Sequence, residues 1–254
     1  MRELKYGYYG EDEAHRIFLI NYLEQLLNYL GKSEEVTFNF DEFFTYKFKG
    51  RNKSEVDARF AEAAQEGFIE YQQDLFFVGR DMDTHLGNIF KDKITSMQSQ
   101  LRDDFKDKTF LMIPVQCIEH WLWYMKIKVE KPSSTKNESL ESKPNREAKI
   151  ALYGSAKVSN KISIPIVEKY SKLLDIDYLL SRSESFMKFH NQVKDFIVNL
   201  IFWKIVLHTH FLPNHTQIHN RFNGFFHVLH RNPFVFSMKS VFTRKYIWAR
   251  QTHE

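Results

Sequence analysis

The sequence predicts an α/β fold, a mostly parallel sheet flanked by helices with a helical C-terminal part. Three observations predict it. Runs of strand composition and length recur at residues 4–9, 75–78 and 109–115, and short, continuously apolar runs suit buried parallel strands. Stretches with apolar residues at helical spacing separate them. Acidic residues follow directly, at Glu11–Glu13, Asp81 and Asp83, and Glu119, where the functional groups of parallel sheets gather.

Taken in order, LKYGYY (residues 4–9) is the first strand, closed by Gly10. Ala14, Ile17, Phe18, Leu23, Leu26, Leu27 and Leu30 then recur at helical spacing up to Gly31, and acids in the first turn favour the helix dipole. Residues 36–48, VTFNFDEFFTYKF, read as one strand or a broken pair. Residues 51–67 are helical through Val56, Phe60, Ala63 and Ala64. The strand at 75–78 follows, then a helix over 90–105 and a strand over 109–115, so the order to this point is β-α-β-α-β-α-β. Residues 129–147 lack aromatics and read as a solvated loop or linker. Helices follow over 148–153, 163–174, 176–182 and 185–202. The expected organisation is a catalytic core over 1–128, a polar linker over 129–147, a helical extension over 148–207 and a tail over 208–254.

Composition excludes several classes. With 254 residues, 43% apolar and 16% aromatic, the chain has ample material for a core. A single cysteine, Cys117, leaves no intrachain disulfide and no cysteine-based zinc site, and reads as a small buried apolar group. The charged opening is not that of a signal peptide, and no run of 18 apolar residues suggests a membrane span, so a cytoplasmic protein is expected. Net charge is +4, but residues 201–254 carry seven Lys/Arg against Glu254, or +6, which leaves −2 for the first 200. The tail holds His208, His210, His215, His219, His227 and His230, at spacings that match no zinc signature. Its charge and aromatics permit nucleic-acid contact.

The chemistry centres on LFFVGRDMDT, residues 75–84. On an extended backbone, residues two apart face the same side, so Asp81 and Asp83 can address one ion. Converging carboxylates with open positions suit Mg²⁺ or Mn²⁺. The alternative is a polar loop in which Asp81 caps the next helix. Removing Asp81 from such a cluster is expected to relieve repulsion and leave the fold intact. His85 and His120 read as edge residues beside the acids.

The set of acids resembles the Toprim domain, the Rossmann-like catalytic module of topoisomerases, primases and OLD-type nucleases. The similarity is closest to stand-alone bacterial Toprim-like proteins encoded beside an ATPase and linked to phage defence, and it covers residues 4–197. Tyr9-Gly10-Glu11-Asp12-Glu13 occupies the place of the family's Glu-Gly-x-Thr/Ser-Glu, and Arg80-Asp81-Met82-Asp83 that of its Arg-Asp-x-Asp. Pro114-Val115, Ile118-Glu119 and Trp121-Leu122 match its next strand end, SRSESFMKF (Ser181–Phe189) its last helical motif, and Lys149 its recurrent lysine. One departure is serious: Tyr9 stands where the family has a glutamate.

The resemblance implies a Mg²⁺- or Mn²⁺-dependent endonuclease acting on DNA or RNA, an effector of abortive infection controlled by an ABC- or AAA-type ATPase, with a homo-oligomer left open. Glu13, Asp81 and Asp83 are the implied metal ligands, Glu11 the substitute acid/base, and Lys149 a catalytic cation. Arg80 is implied in substrate binding, or else in an ion pair with Asp83 or Glu119. Glu119 binds metal or orders the site from behind it. The rival reading is a noncatalytic Toprim-fold subunit that serves as an interaction or regulatory module.

Overall fold

The computed structural model describes residues 1–85, 87–133 and 139–210, with side chains as far as residue 200. Residues 1–198 form one compact unit. The expected histidine cluster and basic tail lie outside the residues whose side chains are described.

Four strands, β1 (Arg2–Gly10), β2 (Val36–Phe40), β3 (Leu75–Gly79) and β4 (Thr109–Met112), form an all-parallel sheet in the order β2-β1-β3-β4. The fold is α/β and Rossmann-like. The chain first moves outward from β1 to β2, then crosses back to place β3 on the other side of β1. That reversal makes the carboxyl ends of β1 and β3 the switch point, where parallel sheets open a crevice. The register sets Gly10 opposite Gly79 there. The Tyr8 ring lies across both glycines, and its hydroxyl donates to the Asp12 carbonyl at 3.3 Å. A Cβ on either glycine would collide with that ring.

The helices on one side are α2 (Glu42–Lys47), α3 (Lys53–Ile69), α4 (Gly87–Gln100) and the short α5 (Asp103–Lys106). Their core gathers Phe44, Val56, Phe60, Ala64, Phe90 and Met97 against Tyr9, Phe76 and Val78 of the sheet. Strand alternation sends Phe77 and Phe110 to the opposite face. There α1 (Glu13–Tyr29), α6 (Ile118–Glu130) and α10 (Glu184–His210) supply Phe18, Tyr22, Trp121, Phe186 and Phe189, rings whose centroids lie 5.1–6.3 Å apart. Outside them come α7 (Asn145–Tyr153), α8 (Asn160–Lys172) and α9 (Ile176–Leu180). Asn21 of α1 donates to Ser171 of α8 at 2.8 Å. Among the described residues, no helix is long and apolar enough to cross a membrane.

Several boundaries differ from expectation, each for a local reason. The stretch 36–48 is neither one strand nor two: Asp41 accepts the Phe44 N–H at 2.9 Å, caps α2 and ends β2. The helix expected over 90–105 starts earlier and divides at Leu101–Arg102 into α4 and α5. The polar stretch 129–147 is solvated only in part. A 3₁₀ turn at Leu140–Ser142 buries Leu140 and Glu141. Glu141 Oε1 accepts from Ser183 at 2.6 Å, Ser185 at 2.5 Å and Trp121 Nε1 at 3.4 Å. Helix α8 begins at Asn160, and Pro165 sits inside it.

A candidate metal centre at the switch point

Gly10 ends β1, and the chain turns at once into α1. Asp12 caps this helix by accepting the His15 backbone N–H at 3.0 Å, while the same Oδ1 holds His15 Nδ1 at 2.7 Å. Both bonds fix the histidine, which is fully buried. Its other nitrogen, Nε2, lies 3.1 Å from Asp81 Oδ1, yet outside hydrogen-bond geometry.

From β3, the chain passes through Arg80 to Asp81. The Asp81 N–H donates to Glu11 Oε1 at 2.5 Å, and Asp81 Oδ1 accepts the N–H of Ile118, the first residue of α6, at 3.0 Å. Asp81 does cap a helix, but it is α6, which comes after β4. Glu119, next along α6, is buried. Its Oε1 meets Lys149 Nζ at 3.8 Å and the Tyr153 hydroxyl at 3.4 Å, both from α7. Its Oε2 is buried with no hydrogen-bond partner. Two donor sets therefore share Asp81: Glu11, His15 and Asp81, and Asp81, Cys117 and Glu119, the atoms of each within 4.8 Å of one another.

Electrostatics follow from that crowding. Burial, then the Asp81 charge, pushes the carboxyls of Glu11 and Glu119 above their ordinary range. Burial opposes charge on His15, but Asp12 and Asp81 outweigh it and hold the imidazole well above its usual value. Burial likewise acts against Asp12, and His15 prevails, keeping that carboxyl at about 2. Lys149 is pulled down by burial and pushed up more by Glu119, Cys117 and Asp81. Cys117 is buried, with its Sγ 3.2 Å from His120 Nδ1, and burial followed by Glu119 pushes the thiol up, so it stays protonated. His120 is no edge residue: it is fully buried, its Nε2 lies 3.0 Å from the Lys143 carbonyl, and burial pulls its pKa down.

Of the residues expected at the site, the structure brings together Glu11, Asp81, Glu119 and Lys149. Asp83 is elsewhere. Its φ of 54° is left-handed, so the extended-chain premise for a shared side does not hold. Backbone bonds from Asp83 to Gln116 at 2.9 Å and from Thr84 to Val115 at 3.2 Å set that turn, and the carboxylate pairs with Lys53 and accepts from Asn145 at 2.6 Å. Glu13 pairs with Arg16 one turn along α1. Arg80 is buried with its Nε 3.3 Å from Asp57, which Lys93 also contacts at 2.6 Å, so its partner is neither Asp83 nor Glu119. The Tyr9 ring packs into the α3-side core. Sequence reasoning missed His15, Asp12 and Tyr153; the Asp-x-x-His spacing at the start of α1 was the available signal. Comparison with known proteins returns no match to any family model, curated protein or solved structure.

Proposed function

We propose that the chain is a divalent-metal-dependent nuclease of the Toprim type that hydrolyses nucleic-acid phosphodiesters under the control of an ATPase partner. The observation that carries this reading is that Glu11 and Glu119, from two other strand–helix junctions, both come up against Asp81, with Lys149 beside Glu119. The site fits Mg²⁺ or Mn²⁺: Asp81 offers a carboxylate oxygen to two overlapping donor sets, Glu11 adds one to the first and Glu119 one to the second. Glu119 Oε2 is buried with no hydrogen-bond partner among the described residues, a costly state that a cation relieves. A cation bound there supplies Lewis acidity and neutralises charge at the phosphate. Tyr9 stands where the family has its acid/base glutamate, and Glu11, expected as the substitute, serves here as a ligand of the ion, which would itself lower the pKa of the attacking water. Lys149 faces the phosphate and opposes the charge that grows on it. Glu119, which also accepts from the Tyr153 hydroxyl, holds that lysine in place. ATPase control and a role in phage defence rest on the resemblance of residues 4–197.

The rival reading, a noncatalytic subunit, draws on the Tyr9 replacement and on the ion pairs that occupy Arg80 and Asp83. One experiment separates them. Purified full-length chain is incubated with supercoiled plasmid, rRNA and tRNA in Mg²⁺ or Mn²⁺, beside Asp81→Asn. Metal-dependent cutting by the parent alone supports the nuclease. A folded parent that leaves every substrate intact, with and without its ATPase partner, refutes it.

A further inference from the structure

We propose that His15 is a metal ligand, so that the switch point holds its cation through a mixed nitrogen–oxygen set, Glu11, His15 and Asp81, and selects Mn²⁺-class transition ions over Mg²⁺. The inference rests on the metal-dependent reading above and deepens it by assigning the class of ion.

The geometry of the ring carries it. His15 sits in the first turn of α1 with no exposed surface. Asp12 Oδ1 takes both its backbone N–H and its Nδ1, which locks the ring and turns Nε2 toward Asp81. A carboxylate on one imidazole nitrogen is the usual support for a histidine that coordinates metal through the other, because it fixes tautomer and orientation. Nε2 is buried and forms no hydrogen bond although Asp81 Oδ1 is only 3.1 Å away. The three donors lie within 4.8 Å of one another. Ligands roughly 2.0–2.2 Å from a common ion stand about 3–4.5 Å apart, so small side-chain adjustments close the set.

Donor chemistry then chooses the ion. Mg²⁺ takes oxygen ligands in near-ideal octahedral geometry and keeps its waters. Imidazole nitrogen suits the later divalent metals, and the affinity of a mixed site rises from Mn²⁺ onward through that series. Helix α1 therefore contributes to the site through its cap and its third residue, beside Glu11 just before the cap.

The test uses full-length chain stripped with EDTA, with Mn²⁺, Zn²⁺ or Mg²⁺ alone as the probe. Pulsed electron paramagnetic resonance of the Mn²⁺-loaded parent should show coupling to an imidazole ¹⁴N, and His15→Gln should lose it. By calorimetry, Mn²⁺ should bind the parent at least about tenfold more tightly than Mg²⁺, and His15→Gln should remove that preference. Asp12→Asn leaves every donor in place and should weaken Mn²⁺ by about 10–100-fold. Should His15→Gln not fold, the parent spectrum and Asp12→Asn still decide. Mn²⁺ bound without ¹⁴N coupling overturns the assignment of His15 and leaves the nuclease reading standing. A parent that binds none of the three ions overturns both.

Discussion

The acids near the switch point divide into two groups by the company they keep. Asp83, Asp57 and Glu13 each face a cation: Lys53 for the first, Arg80 and Lys93 for the second, Arg16 for the third. Glu11 and Glu119 each lie against Asp81, and the basic side chains beside them are His15 and Lys149. The partly exposed pairs of Asp83 and Glu13 add little to stability, and Asp57 neutralises the buried Arg80. The second group concentrates negative charge where burial makes it costly, which is why Glu11 and Glu119 titrate high. Partnership thus separates acids that a sequence motif treats alike. Glu141 supplies the control. It is buried without a cation and its carboxyl is pushed up by burial, yet two serine hydroxyls and an indole satisfy it.

The comparison can be broken most directly at Asp81. Asp81→Ala should lower cleavage by roughly 10²–10³-fold, the scale of losing one preorganised electrostatic group. Charge repulsion alone had suggested an intact or firmer fold. The structure changes that expectation, because the Ile118 N–H loses its acceptor. Stability should fall by about 1–3 kcal/mol, measured by urea denaturation without metal. Parent-level cleavage by this variant would sink the division. Glu119→Gln should come next. Because a ligand stabilises only through its affinity for the folded state, the rise in Tm on adding Mn²⁺ should shrink while the metal-free Tm holds or climbs. An unchanged Mn²⁺ response would place Glu119 outside the metal centre.

A smaller effect is expected at Glu141. Its pKa is raised in the folded chain from a reference of 4.5, so above pH 4.5 the unfolded chain releases a proton that the folded chain keeps. Its contribution is fully present below that value and is lost as pH rises through the folded pKa. Denaturation midpoints across pH 4–8 should therefore fall less steeply in Glu141→Gln than in the parent. Equal slopes would show that the serines already hold an ionised carboxylate comfortably. Asp83→Ala should do least. Its ion pair with Lys53 is partly exposed, so stability should change by less than about 1 kcal/mol, and cleavage should match the parent. If Asp83→Ala silences the protein, acids with lysine partners cannot be set aside.

Much of the fold was legible because the signals were local. The runs at 4–9, 75–78 and 109–115 became β1, β3 and β4, and apolar periodicity marked α1 and α3. Helix α2 was hidden by residues 36–48, whose Phe and Thr content favours strands, although Asp41 carried a capping signal. At the site, the strand-end positions of Glu11 and Asp81 were readable. The split between Asp81 and Asp83 was not, since it depends on bonds to Gln116 and Val115, more than thirty residues away. Arg80 looked available beside two aspartates, and only the packing of α3 reveals Asp57 as its partner. His15 fitted a helix face so well that nothing but the Asp12 spacing marked it.

The β1–β3 pairing also bears on how the protein is made. Glu11 and Asp81 are 70 residues apart in the chain, and their strands pair across a crossover that includes β2 and three helices. Contacts of such separation form late, because the loop they close must be ordered first. Glu119 and Lys149 follow further along. A chain emerging from the ribosome holds helix α1 and its cap well before it holds opposing carboxylates, and a fragment ending short of α6 lacks the full acidic set. If the protein cuts nucleic acid, an incomplete copy is harmless to the cell that is translating it.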